Sequence, residues 1–159
     1  MALVAGEWLV STVYLYAQWF HYTRQSYGIS RMYLRKAGAI SASRDWVLDG
    51  VIYGLPLWGI LSRSHQQPAS FLTLPIYTFP VPAAVVYLAG AVAVACIVLW
   101  AARELRVFGR RRADAPHSAY IASHIAIFSA GYLLIDEINT GFIAAPTAPP
   151  SCPFRTTRR

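Results

Sequence analysis

The stretch VPAAVVYLAGAVAVACIVLWAA, residues 81–102, decides the fold: 22 residues without one charged side chain. At 1.5 Å per residue an apolar helix of that length matches a hydrocarbon core about 30 Å thick. It has no carboxylate, imidazole or basic group, and Cys96 is its only candidate ligand, so it is the segment least suited to hold a site. It is rich in small residues, Ala83, Ala84, Ala89, Gly90, Ala91, Ala93 and Ala95. Small side chains let helix backbones approach, which predicts a helix-packing partner for this span.

Three further segments resemble it in length and apolarity: residues 2–20, 46–62 and 118–135. The second has Pro56 near its middle, where a missing amide predicts a bend. None of the four alternates strictly, and a bilayer admits only helices or closed barrels. The expected architecture is therefore all-α: residues 1–142 form a polytopic membrane bundle of about four transmembrane helices. Composition agrees, since 56% of the 159 residues are hydrophobic and only 13% charged, against about a quarter charged in soluble domains.

The net charge of +7 does not point to nucleic acid, because the basic residues fall in runs between apolar segments. Loop one holds Arg24, Arg31, Arg35, Lys36 and Arg44; loop three holds Arg103, Arg106, Arg110, Arg111 and Arg112; loop two has only Arg63. The positive-inside rule puts loops one and three in the cytoplasm and both termini outside. No Lys or Arg precedes the first apolar stretch, which carries Glu7. That is the wrong pattern for a signal peptide and predicts a retained first span. Within loop one, a helix over Tyr22–Ala37 would place Arg24, Arg31 and Arg35 near one face and could lie flat on the inner surface; Gly28 favours a turn between two shorter pieces instead. Neither Cys96 nor Cys152 has a partner at metal-ligand spacing, so neither zinc nor a disulfide is indicated.

The tail, residues 143–159, contains Pro146, Pro149, Pro150 and Pro153 and three arginines. This composition predicts disorder. The competing expectation is an end made by truncation or an altered reading frame near Thr140 and Gly141, after which a parent protein would carry further spans.

Ionisable groups inside a bilayer are costly and mark candidate sites. On the cytoplasmic side His21 ends the first span, Asp45 and Asp49 enter the second, and His117 and His124 enter the fourth. Three helices thus bring imidazoles and carboxylates to one level, a combination suited to Fe or another transition metal such as Mn or Zn. The candidate ligands are His21, Asp49, His117 and His124. Asp45 and Asp49 share a helix face. His117 and His124 also share one, but lie about 10 Å apart along the axis. Tyr120, between them, and Arg24 are the candidate catalytic or substrate-contacting residues. Arg24 with Gln25 can hold a polar head group; interfacial anchoring is the competing role for this stretch. An outer group of Glu7, His65, Asp136 and Glu137 reads as solvated. There is no Walker loop, G-x-S-x-G elbow, C-x-x-C or H-E-x-x-H, which argues against a nucleotide-driven pump or a standard hydrolase.

The stretches H-Y-T-R-Q-S-Y-G-I from His21 and S-H-I-A-I-F-S-A-G-Y-L-L-I-D-E-I-N-T-G from Ser123 resemble a poorly characterised group of bacterial polytopic membrane proteins. More loosely the arrangement is similar to membrane non-haem iron oxygenases and desaturases, which gather histidines at the cytoplasmic ends of their helices. That likeness implies a metal-dependent oxidoreductase, or a fragment of one, acting on a lipid or isoprenoid in a bacterial inner membrane. The chain departs from the pattern in lacking every H-x-x-x-H and H-x-x-H-H box, and its four histidines cannot build a complete di-iron set. The rival expectation is a non-enzymatic membrane protein: a transporter subunit, an assembly factor or a structural bundle.

Overall fold

The computed structural model describes residues 4–38, 45–71, 74–107 and 115–135. The expectations for Asp136, Glu137, Cys152, the chain end near Thr140 and the tail lie outside these residues. The described chain is helical apart from short connecting segments, the longest at 76–82, and a hairpin of two two-residue strands, β1 (Ser70–Phe71) and β2 (Leu74–Pro75). They pair antiparallel with Ser70 opposite Pro75 and Phe71 opposite Leu74. Strands were not expected; this pair caps one end of the bundle by seating Phe71 against Leu15 and Ile60.

Helix α1 runs unbroken over Val4–Lys36, 33 residues, or about 50 Å. The first span and the expected interfacial helix are therefore one rod, without a turn at Gly28. Three hydroxyls bond back one turn and keep their own polarity satisfied: Ser11 to the Glu7 carbonyl at 2.8 Å, Thr12 to Trp8 at 2.7 Å and Thr23 to Trp19 at 2.9 Å. The helix stops at Gly38, whose φ of 70° suits a residue without Cβ, and whose amide bonds the Arg35 carbonyl.

The second helical rod has three pieces: α2 (Trp46–Asp49), a wide π turn over Gly50–Gly54, and α3 (Leu55–Gln66). Asp45 starts it as N-cap, accepting from the amides of Val47 at 3.0 Å and Leu48 at 3.3 Å. The irregularity expected at Pro56 takes the form of the π turn. Proline has no amide to give the Ile52 carbonyl four residues earlier, so the ladder loosens there. At the far end Gln67 adopts φ 48° and bonds back to Ser64.

Helix α4 (Ala83–Val107) carries the opening stretch. Of its small residues, Ala93 lies against Gly54 of the second rod, while Ala84, Ala91 and Ala95 are exposed. A Cβ at Gly50 would sit 2.5 Å from Cys96 Sγ, and one at Gly54 would sit 3.8 Å from the Ala93 Cα. Gly90 in turn accommodates the Trp58 indole. Helix α5 (Ala115–Ser129) continues into a second π turn, Ala130–Leu134. It runs antiparallel to α1, because residues later in α1 meet residues earlier in α5. Three apolar clusters stack along the bundle: Leu48, Val51, Ile52 and Ile121 at one end, Leu55, Phe128 and Tyr132 in the middle, and Leu15, Ile60 and Phe71 beside the hairpin.

Among the described residues one helix, Ala83–Arg106, is long and apolar enough to cross a membrane, with mean hydropathy 2.4. The two π turns divide the second and fourth segments into α-helical pieces of 12 residues or fewer and of 15 residues. Helix α1 is long but interrupted by polar side chains.

Candidate functional site

Between α1 and α5 runs a polar seam inside an otherwise apolar bundle. On α1, Tyr22, Ser26 and Ser30 recur every fourth residue and so share a face. On α5, His117, Tyr120 and His124 lie on the face that meets them. Ser30 Oγ and His117 Nε2 are 2.9 Å apart, with both residues buried. One turn along, His124 Nδ1 lies 3.2 Å from Ser26 Oγ, and the Tyr120 hydroxyl also bonds the Ser26 side chain. His124 is only 3% exposed. The Ile52 carbonyl, released by Pro56, acts on its ring from the second rod, while Nε2 itself is buried with no partner in hydrogen-bonding geometry.

Above this network the helices part to leave a cleft of about 150 Å³. Tyr22, Gln25, Ser26 and Ile29 form one wall and Tyr120, Ser123, His124, Ile127 and Phe128 the other. Aromatic rings line its base: His124 and Phe128 have centroids 4.4 Å apart, and Phe128 stacks on Tyr132 at 5.7 Å with planes 3° apart. The cleft thus offers hydroxyl, amide and imidazole groups beside flat apolar surfaces. That mixture suits a small ring or head group carrying a few hydrogen-bonding atoms.

The residues expected to act together are only partly brought together. Tyr120 and His124 share the cleft. His117 is deeper along the seam, engaged by Ser30. Asp49 is buried on the second rod. His21 is exposed on the far side of α1, its Nε2 3.0 Å from the Gln25 amide nitrogen. Arg24 is also exposed and reaches the Tyr53 hydroxyl at 3.3 Å, so neither lines the cleft. Among the described residues no three His, Cys, Asp or Glu side chains gather around a point that could hold a metal ion. The set His21, Asp49, His117 and His124 is therefore not gathered around one point in this structure. The reason is rotational: His21 sits on the α1 face turned away from α5. Asp45, on the same helix face as Asp49, instead caps its helix and pairs with Arg103 at 3.1 Å. In the outer group, His65 Nδ1 contacts the Val81 carbonyl at 2.8 Å, and Glu7 is exposed in the first turn of α1.

Ser26, Ser30 and Ser123 were not read as site residues. The signal was present as the four-residue spacing of Tyr22, Ser26 and Ser30, but it exists only if His21–Ile29 is helix and not loop. Comparison with protein-family models, curated proteins and solved structures finds no match for this chain.

Proposed function

We propose that this chain is an integral membrane protein of about four spans whose α1–α5 cleft binds the polar head of a lipid or isoprenoid, as a binding protein and not as a metal-dependent oxidoreductase. The membrane part is supported by what the bundle leaves uncovered. Only 17% of the apolar window in Ala83–Arg106 is buried, and Val85, Leu88, Val92, Val98 and Leu99 all face outward. Water would penalise such a surface by about 25 cal/mol per Å², whereas lipid would not. The pieces of the second and fourth segments, π turns included, come close to the roughly 20 residues that one crossing takes. The basic connections after α1 and after α4 then lie in the cytoplasm of a bacterial inner membrane.

The observation that carries the binding role is the cleft itself: buried His124 with half-buried Tyr120 and Ser26 beside aromatic walls, in a largely apolar bundle. A cavity of about 150 Å³ holds one benzene-sized ring, so the occupant presents a single ring or a head of that size while its tail lies in the surrounding lipid. The test is extraction of the detergent-purified full chain and identification of co-purified lipids by mass spectrometry. The wild type is expected to retain one lipid class in near-stoichiometric amount, and His124→Leu and Tyr120→Phe to retain several-fold less. Equal retention by all three proteins would remove the cleft from consideration.

A further inference from the structure

The face of α1 turned directly away from the bundle is polar where lipid would demand apolar side chains. With 100° per residue, the packed face centres on Thr23, and Tyr14, Gln18, His21, Gln25, Gly28 and Met32 fall opposite it, Gln25 at the edge where this face meets the mouth of the α1–α5 cleft. The observed burial follows this pattern: Thr23 is fully buried, Gln18 is half-buried, and Tyr14, His21, Gln25, Gly28 and Met32 are exposed. These positions are spaced 4, 3, 4, 3 and 4, the repeat of a seam between two supercoiled helices. Their depth is internal to the bundle. Tyr16 meets Ser64 at 2.7 Å near one end, and Ser30 meets His117 near the other; His21 lies roughly 7.5 Å from the first level and roughly 13.5 Å from the second.

Within the chain this seam is only partly satisfied. Gln18 donates to the Tyr22 hydroxyl at 2.6 Å, and Gln25 meets His21 at 3.0 Å. Among the described residues the carbonyl and second donor of each amide have no partner, and in hydrocarbon those groups need protein partners. Gly28 points the same way. A Cβ there would meet nothing within 4 Å, so no contact among the described residues requires the glycine, which weakens the helix.

We propose that two copies of this chain associate through this face of α1, with Gln18, His21 and Gln25 each meeting its own counterpart across a two-fold axis normal to the membrane. The inference rests on the membrane reading above. Copies inserted with one topology have parallel α1 helices, so a two-fold axis sets each residue against itself. Glutamine and neutral histidine each carry both donors and acceptors and are therefore self-complementary, as a carboxylate or guanidinium is not. Arg24 sits beside the seam, held by Tyr53, and does not confront its own copy. Gly28 lets the two backbones close together.

The test uses the full chain with Cys96→Ala and Cys152→Ala in native membranes, adding one cysteine at a time. Gln18→Cys and Tyr14→Cys are expected to give disulfide-linked dimers of twice the chain mass on mild oxidation. Phe20→Cys, exposed like Tyr14 and two residues from Gln18 but off the seam, is expected to stay monomeric. Adding His21→Leu to Gln18→Cys should weaken association roughly threefold, the scale of one interhelical hydrogen bond in lipid, and His21→Gln should restore it. Cross-linking without this periodicity, or adducts of a different mass, overturns the dimer while the protein remains resistant to alkaline carbonate extraction. Release of the protein by carbonate overturns the membrane reading and the dimer with it.

Discussion

Ser30 Oγ and His117 Nε2, separated by 87 positions in sequence, lie 2.9 Å apart in a fully buried contact that fixes the register of α1 against α5. A hydroxyl removed from water with an imidazole partner contributes about 1 kcal/mol net. Ser30→Ala is expected to lower the unfolding free energy in detergent by about that amount, read by denaturant titration of intrinsic fluorescence. Pairing it with His117→Leu should give less than the sum of the separate losses; full additivity would mean that the contact contributes nothing.

Glycines at helix contacts and the glycine on the open face of α1 should respond oppositely to alanine. A Cβ at Gly59 would lie 2.6 Å from the Tyr132 Cβ and 2.8 Å from its Cγ, atoms held close to their own backbone and unable to swing aside. Gly59→Ala should therefore cost about 1–3 kcal/mol by overpacking. Gly28→Ala meets no atom and should stabilise the isolated chain by up to about 1 kcal/mol through helix propensity. Thermal unfolding of the two variants beside the wild type tests the pair; a loss at Gly28 as large as that at Gly59 would contradict the packing described here.

The apolar helix α4 and the all-α fold were legible because residues 81–102 admit little else. Pro56 likewise announced an irregularity, although not that it would be a π turn presenting the Ile52 carbonyl to His124. The site was only half legible. His124 and Tyr120 stood out as polar residues in an apolar run, but their partners Ser26 and Ser30 lay in a stretch whose polarity suggested a loop. Hydrogen bonds back to the helix and across to α5 let that stretch remain helical. The four ligand candidates lie apart for a related reason: depth along a membrane can be estimated from sequence, but the direction each helix turns its side chains cannot be read until the neighbours are known.

Asp45 shows how one residue type supports different readings. A carboxylate directly before an apolar helix, one turn ahead of Asp49, looks like a ligand, yet its oxygen caps two amides. Its ion pair with Arg103 is over half exposed on both sides and should contribute about 1 kcal/mol at most. Asp45→Ala is expected to cost about 1 kcal/mol, through the cap, and Arg103→Ala less. Asp45→Asn, which keeps the capping oxygen, should recover most of the loss. Chemical denaturation of the three variants at moderate salt checks the order.

Filling the cleft separates binding from stability. Ile127 lines the α5 wall and is partly exposed to the open space, so the larger indole of Ile127→Trp can extend into that space without displacing the Ser26, Tyr120 and His124 network behind it. The seam bonds Ser30–His117 and Ser26–His124 should survive, leaving the unfolding free energy within about 0.5 kcal/mol of the wild type, as for a substitution away from buried features. Retention of the co-purified lipid should nevertheless fall at least tenfold, because a space of one ring cannot hold a ring and an indole together. His124→Leu gives the complementary result, lower retention with an emptied hydrogen-bonding site and a measurable change in stability. If Ile127→Trp keeps its lipid at wild-type level while His124→Leu loses it, then His124 acts through the helix seam and the bound lipid sits elsewhere on the bundle.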